Sequence, residues 1–124
     1  MVEHLKGTKY LAVDVPFVRQ ARPINVMDHL DLLEHCDLKL PFVAGQKPDG
    51  DFDIVDLAGA PHMLIAGTTG SGKTIFLYSI LVSLLYRFTP EELSLLIIDP
   101  KATDFVFFDG LPHLYGGKVV TDAE

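Results

Sequence analysis

The sequence is poor in cysteine, in basic residues and in long apolar runs, and each shortage excludes a class of protein. A single cysteine, Cys36, cannot form an internal disulfide framework, so a reducing, cytoplasmic compartment is expected. Ten basic residues against seventeen acidic ones give a net charge of −7, the opposite of a self-contained nucleic-acid binder. The longest apolar run, 75–86, has twelve residues including two serines, whereas a membrane span needs about twenty. Residues 1–9 lack the apolar block of a secretory signal.

What is present indicates one globular domain. The chain has 124 residues, 48% of them hydrophobic, with ten glycines and eight prolines. Short apolar stretches predict strands at 10–15, 40–45 and 52–57, and Asn25 is a plausible N-cap for amphipathic helical turns over 25–36. Residues 1–60 are therefore predicted to be a β-rich lead-in segment.

The second half of the chain predicts a strand–loop–helix–strand unit. Residues 62–67 form an apolar run typical of a strand covered on both faces, and residues 73–88 are apolar nearly all round, as in a buried helix. Residues 89–92, Thr-Pro-Glu-Glu, match a capping box, and 93–99 read as a second buried strand. Such a βαβ unit makes its two strands parallel, so the predicted fold class is α/β with a parallel sheet.

Between the first strand and the helix lies GTTGSGKT, which fits G-x-x-x-x-G-K-[ST] at every fixed position. Glycines let successive backbone N–H groups turn inward around an anion, and the following helix adds its positive end. A glycine-rich turn matching by chance is the alternative, but the flanking strand and helix are those that the motif requires. The predicted nucleotide-binding residues are Gly67, Thr68, Thr69, Gly70, Ser71, Gly72, Lys73 and Thr74. Lys73 is expected to face the β- and γ-phosphates of ATP, and the Thr74 hydroxyl to bind Mg²⁺.

Asp99 ends the second predicted strand and admits two interpretations. It resembles a carboxylate placed near magnesium or its waters, as at the end of a Walker B strand. However, Pro100 follows where a glutamate would position water, and the alternative is an aspartate that caps the next turn. Both interpretations stay open at this point, so the catalytic residues are unknown and Asp99 is a candidate.

Several stretches in register resemble the FtsK/SpoIIIE family of DNA translocases. They are DLAGAPHMLIAGTTGSGKT (56–74), SLLYRFTPEELSLLIIDPKATDF (83–105) and DGLPHLYGGKVVTD (109–122). The similarity covers nearly the whole chain and is loosest over residues 19–37. The sequence departs from the family pattern in having threonine at position 74, Gly-Gln-Lys at 45–47, and Ala-Thr-Asp-Phe-Val-Phe-Phe after the lysine of Asp-Pro-Lys.

The resemblance implies a RecA-like P-loop motor whose N-terminal part is 61–124, preceded by the lead-in segment 1–60. It implies binding of ATP and magnesium, a homo-oligomeric ring in the full-length protein, and contact with double-stranded DNA through regions beyond this chain. It also places the Walker B Asp-Glu strand and the subunit-contacting arginine beyond residue 124, which makes 93–99 the second strand of the fold. Hydrolysis by the chain alone is not expected.

Two other functions stay open on the sequence. One is a related secretion or conjugation ATPase that moves protein or nucleoprotein. The other is a nucleotide-binding module that changes conformation without hydrolysis.

Overall fold

The computed structural model describes residues 2–4, 11–13, 23–60 and 62–121, which form antiparallel hairpins, a long helix and short 3₁₀ helices. The strands are β1 (Val2–His4), β2 (Leu11–Val13), β3 (Pro41–Gln46) and β4 (Phe52–Asp56). Helix α1 is Lys73–Arg87, and 3₁₀ helices span Val26–Leu33, Leu57–Gly59, Val106–Phe108 and Tyr115–Gly117. Among these residues, no helix is long and apolar enough to cross a membrane.

The lead-in segment contains the strands that the sequence predicts. β1 pairs antiparallel with β2, and the strand predicted over 10–15 is confirmed at Leu11–Val13; its other residues lie outside the described ones. β3 and β4 form a second antiparallel hairpin, in which Pro41 faces Asp56 and the register shifts between Val43 and Gly45. Two backbone hydrogen bonds of 2.7 and 3.0 Å close the turn over 47–51.

The predicted helical turns after Asn25 form a 3₁₀ helix rather than an α-helix. The Asn25 side chain accepts a hydrogen bond from the backbone N–H of Met27 at 3.3 Å, which confirms the predicted cap. Leu30 and Leu33 are buried and pack against Val43 of β3, so the apolar face of these turns covers the hairpin.

Helix α1 is packed on two sides, as its nearly uniform apolar surface predicts. Toward the hairpin, Ile80 and Leu84 form a core cluster with Phe42 of β3. Toward the C-terminal part of the described chain, the helix contributes three side chains to a cluster around Phe108, and these are Tyr78, Leu81 and Leu85. The helix therefore joins the two halves of the structure.

After α1, residues 89–92 form the turn that the capping-box pattern predicts. The Glu92 carboxylate accepts the backbone N–H of Thr89 at 2.9 Å and its hydroxyl at 3.0 Å. These bonds lower the pKa of Glu92, the backbone contact having the larger effect. The turn redirects the chain from the end of α1 into the segment 93–99.

Ser83 connects α1 to β3 from inside the core. Its side chain is completely buried, accepts the backbone N–H of Val43 at 3.2 Å, and donates to the carbonyl of Ser79 at 2.6 Å. The edge of β3 that faces away from β4 thus has a polar partner on the helix.

Replacement of Ser83 by alanine is expected to lower the free energy of unfolding by about 1–3 kcal/mol, because the Val43 N–H is left buried without an acceptor. Urea denaturation of the parent and variant measures this difference. Ser94→Ala, at an exposed serine, is the matched control and should stay within about 0.5 kcal/mol of the parent. Equal midpoints for Ser83→Ala and the parent would contradict the assigned hydrogen bond.

The parallel sheet predicted for the second half is not formed by the described residues, and a RecA-like sheet stays a prediction. Residues 62–68 pair with no strand in this part of the chain, and Leu64 is 91% exposed. The segment 93–99 makes only two isolated parallel bridges, Leu95 to Leu114 and Ile98 to Val120. The α/β class stands, while the paired strands that the structure does contain are antiparallel hairpins.

The physical reason lies in what a strand requires. An apolar run measures the tendency to be buried, but strand formation also requires a neighbour to bond its backbone groups. Between the two bridges, Gly116 and Gly117 take positive φ values of 74° and 72°, a turn that interrupts the ladder. Leu96 and Ile98 point outward, 60% and 63% exposed, so this side of the segment is uncovered within the described chain.

Candidate nucleotide-binding site

The glycine-rich loop lies between the unpaired segment 62–66 and the first turn of α1. Gly70 and Gly72 have positive φ values of 78° and 94°. Residues with a side chain rarely adopt this left-handed region. The backbone N–H of Ser71 donates to the carbonyl of Thr68 at 3.1 Å and closes a turn inside the loop. The two glycines are therefore required by the path of the chain.

Lys73, the first residue of α1, folds back over this loop. Its ammonium donates to the carbonyls of Gly67 and Thr68 at 2.7 and 2.8 Å. A Cβ added at Gly67 would overlap the Ser71 hydroxyl, so glycine permits this close approach. The loop is thus closed around a positive charge at the head of a helix.

The head of α1 also presents backbone donors. The first N–H groups of a helix have no partner within it, and they carry the positive end of its dipole. Here the N-cap is Gly72, which has no capping side chain, and the first turn contains no acidic residue. With Lys73, this arrangement fits a phosphate group.

Thr74 is brought close to an acid that the sequence did not mark as functional. Its hydroxyl lies 3.5 Å from a carboxylate oxygen of Asp104, thirty residues further along the chain. The backbone carbonyl of Asp104 accepts a 2.6 Å hydrogen bond from the hydroxyl of Tyr78, one turn after Thr74 on α1. The described structure therefore places a carboxylate beside the predicted magnesium ligand.

Asp99 is 7% exposed, and its carboxylate caps the turn that follows it. It accepts four backbone N–H groups at 3.0 to 3.2 Å, those of Lys101, Thr103, Asp104 and Phe105. The N–H of Asp104 contributes most to lowering the pKa of Asp99, and burial opposes the shift. The geometry favours the turn-cap interpretation, and a role near magnesium stays a prediction.

An apolar cavity of about 440 Å³ opens beside the loop. Ser71 and Gly72 belong to both the loop and the cavity wall, which α1 and the lead-in segment complete. The other lining residues include Ile24, Val43, Ile75 and Phe76. The cavity is within the size range of small-molecule sites, about 300–1,000 Å³.

Comparison with known proteins identifies the family. The model of the FtsK/SpoIIIE family matches residues 34–124, which include the whole glycine loop and the Asp99 turn. The chain belongs to the FtsK/SpoIIIE family. The resemblance on which the sequence analysis relied is thereby confirmed.

Several proteins named DNA translocase FtsK are similar to this FtsK/SpoIIIE chain along nearly all of its length. The one from Rickettsia bellii is 52% identical over 120 residues, covering 95% of this chain and 16% of the relative. Those from Haemophilus influenzae and Pasteurella multocida are 40% and 37% identical, each over 98% of this chain and over 23% and 13% of the relatives. The chain thus spans less than a quarter of each of these relatives.

The nucleotide-binding role of the glycine loop in this family member stays a prediction, and the sequence did not indicate that Asp104 approaches the loop. Gly67 to Thr74 follow one another in the chain, so a motif is enough to find them. Asp104 lies outside the motif, and its approach to Thr74 depends on the turn that the Asp99 carboxylate organises.

Proposed function

We propose that this chain is the ATP-binding part of an ATP-driven motor that moves double-stranded DNA. The observation that carries the proposal is the family match over 34–124, which contains the closed glycine loop. The relatives' names state DNA translocation for proteins of which this chain spans less than a quarter. The proposal transfers that activity to the longer protein of which this sequence would form a part.

In this proposal the loop binds the triphosphate of ATP. Lys73 exchanges its bonds with the carbonyls of Gly67 and Thr68 for bonds to the β- and γ-phosphates, while the loop and helix N–H groups bind the remaining oxygens. The Thr74 hydroxyl would hold magnesium, which when bound neutralises charge on the phosphates. The donor set of hydroxyl, nearby carboxylate and phosphate oxygens fits this ion.

The cavity beside the loop supports a place for the nucleoside. Ile75 and Phe76 directly follow the phosphate loop and line the cavity, so a base attached to the phosphates has an apolar surface within reach. In this proposal the lead-in segment contributes Ile24 and Val43 to the base site and is more than a spacer before the motor.

The RecA-like parallel sheet is proposed for the full-length protein. Leu64, Leu96 and Ile98 are exposed apolar residues on the two segments that were predicted as strands. Further strands of the motor would bond these segments and cover these side chains. The water-positioning carboxylate, the arginine and the pore loops would come from other parts of that protein, assembled as a ring in the cytoplasm.

Calorimetry with Mg²⁺–ATP and with tripolyphosphate tests the binding proposal on the 124-residue chain. ATP is expected to bind, and tripolyphosphate to bind more weakly because it makes no cavity contact. Absence of binding by both would overturn the proposal. On the full-length protein, ATPase activity stimulated by duplex DNA supports the motor, whereas a DNA-independent ATPase would indicate another cargo.

The chain alone is expected to bind duplex DNA no more tightly than about 10⁻⁴ M at physiological salt, the range of non-specific contacts. The reason is its net charge of −7, which repels the phosphate backbone. Fluorescence anisotropy with a labelled duplex over a salt series measures this. A salt-dependent complex at low micromolar concentration would show that a DNA-binding surface lies within these residues.

A further inference from the structure

We infer that Asp104 supplies a carboxylate to the magnesium site whose other protein ligand is Thr74. The inference rests on the proposed function, because it concerns magnesium bound together with ATP. It adds a residue that the glycine-loop motif does not contain, thirty positions beyond Thr74. The starting observation is the 3.5 Å separation between the Thr74 hydroxyl and the Asp104 carboxylate.

Asp104 is fixed by its backbone, which leaves its carboxylate available. Its N–H donates to Asp99 at 3.0 Å, and its carbonyl accepts from the Tyr78 hydroxyl at 2.6 Å. The ring of Tyr78 packs edge-on against Phe105 with centroids 5.5 Å apart, so the next residue is also held. The turn thus places the Asp104 side chain beside Thr74 without using its carboxylate for its own support.

The spacing suits a shared ion better than a direct hydrogen bond. A separation of 3.5 Å is long for a hydroxyl and a carboxylate, which usually approach to about 2.7 Å. Adjacent ligands of an octahedral Mg²⁺ at 2.0–2.1 Å lie about 2.9 Å apart, so a small movement, or a bridging water, brings both oxygens to one ion. Mg²⁺ in nucleotide sites takes one or two carboxylates together with phosphate oxygens.

The charge balance points the same way. Within residues 23–60 and 62–121, the ion pair observed is that of Lys47 with Asp53, and Asp104 is in none. An unpaired carboxylate beside a triphosphate is repulsive unless a cation lies between them. Asp104 should therefore favour ATP binding when magnesium is present and oppose it when magnesium is removed. A purely structural Asp104 would have the same effect in both conditions.

The test measures ATP affinity of the 124-residue chain by calorimetry, once with excess Mg²⁺ and once with EDTA. For Asp104→Asn, which keeps the size and one acceptor oxygen, we expect about tenfold weaker binding with Mg²⁺. With EDTA we expect affinity equal to or higher than that of the parent. Asp104→Glu should restore most of the magnesium dependence, and Asp53→Asn is the control that removes the same charge elsewhere.

A second readout is the electron paramagnetic resonance spectrum of Mn²⁺ bound with ATP, which should change for Asp104→Asn and not for Asp53→Asn. If Asp104→Asn leaves the ATP affinity unchanged both with Mg²⁺ and with EDTA, the inference is overturned while the proposal of ATP binding stands. Equal losses in both conditions would assign Asp104 a structural role and also overturn it. If the parent binds ATP in neither condition, the proposed function fails first and the inference fails with it.

Discussion

Lys73→Ala is expected to weaken Mg²⁺–ATP binding by tenfold or more. A hydrogen bond to a charged group contributes about 1.5–3 kcal/mol, and the variant loses the ammonium that we propose faces the β- and γ-phosphates. It also loses the two bonds, 2.7 and 2.8 Å long, that close the loop over Gly67 and Thr68. Calorimetric titration of parent and variant with ATP in the presence of magnesium measures the change.

The matched control for this substitution is Lys118→Ala, which removes the same charge at an exposed position after the short 3₁₀ helix Tyr115–Gly117. It separates the local role of the Lys73 ammonium from the general effect of making an acidic chain more acidic. ATP affinities that agree between Lys73→Ala and the parent would overturn the assignment of the loop.

The second large effect concerns hydrolysis, which we expect to be at least 10³-fold slower in the 124-residue chain than in the assembled motor. A charge donor at the γ-phosphate alone accounts for 10³–10⁵ in rate in related enzymes. In the described part of the chain, Arg87 is at the far end of α1, fourteen residues or about 21 Å from Lys73. The Asp99 carboxylate is already bonded to four N–H groups and has little capacity to orient water.

A phosphate-release assay on residues 1–124 checks this expectation, with Lys73→Ala as the baseline for contaminating ATPases. Steady turnover of about 1 s⁻¹ that disappears in both Lys73→Ala and Asp99→Asn would contradict the expected lack of hydrolysis. That result would make Asp99 the working carboxylate and would show that the turn it caps opens when ATP binds.

The parts of the fold that the sequence predicted are those determined by residues close together in the chain. The caps at Asn25 and Thr89 and the helix over 73–87 each depend on contacts within about five residues. Such contacts form largely independently of the rest of the molecule, which is why their patterns can be read without knowing the tertiary structure.

The parts that failed depend on neighbours that a pattern does not contain. An apolar run at 62–67 indicates burial, but its partners in a sheet would lie far along the chain, and Leu64 is instead exposed. The approach of Asp104 to Thr74 was missed for the same reason. It depends on how the turn after Asp99 packs against α1, and the two residues are thirty positions apart in the chain. In both cases the deciding interaction is tertiary.

Helix α1 has a mechanical consequence that follows from its packing. Helix α1 is packed between the hairpin and the cluster around Phe108. Because close-packed interiors have low compressibility, we expect its first turn to move together with the rest of the helix. Ser83 lies ten residues, or about 15 Å, from Lys73 along the helix. Its hydroxyl oxygen accepts a 3.2 Å hydrogen bond from the backbone N–H of Val43 in β3. If a phosphate group binds at the loop, we therefore expect any shift of the first turn of α1 to displace the β3–β4 hairpin as well.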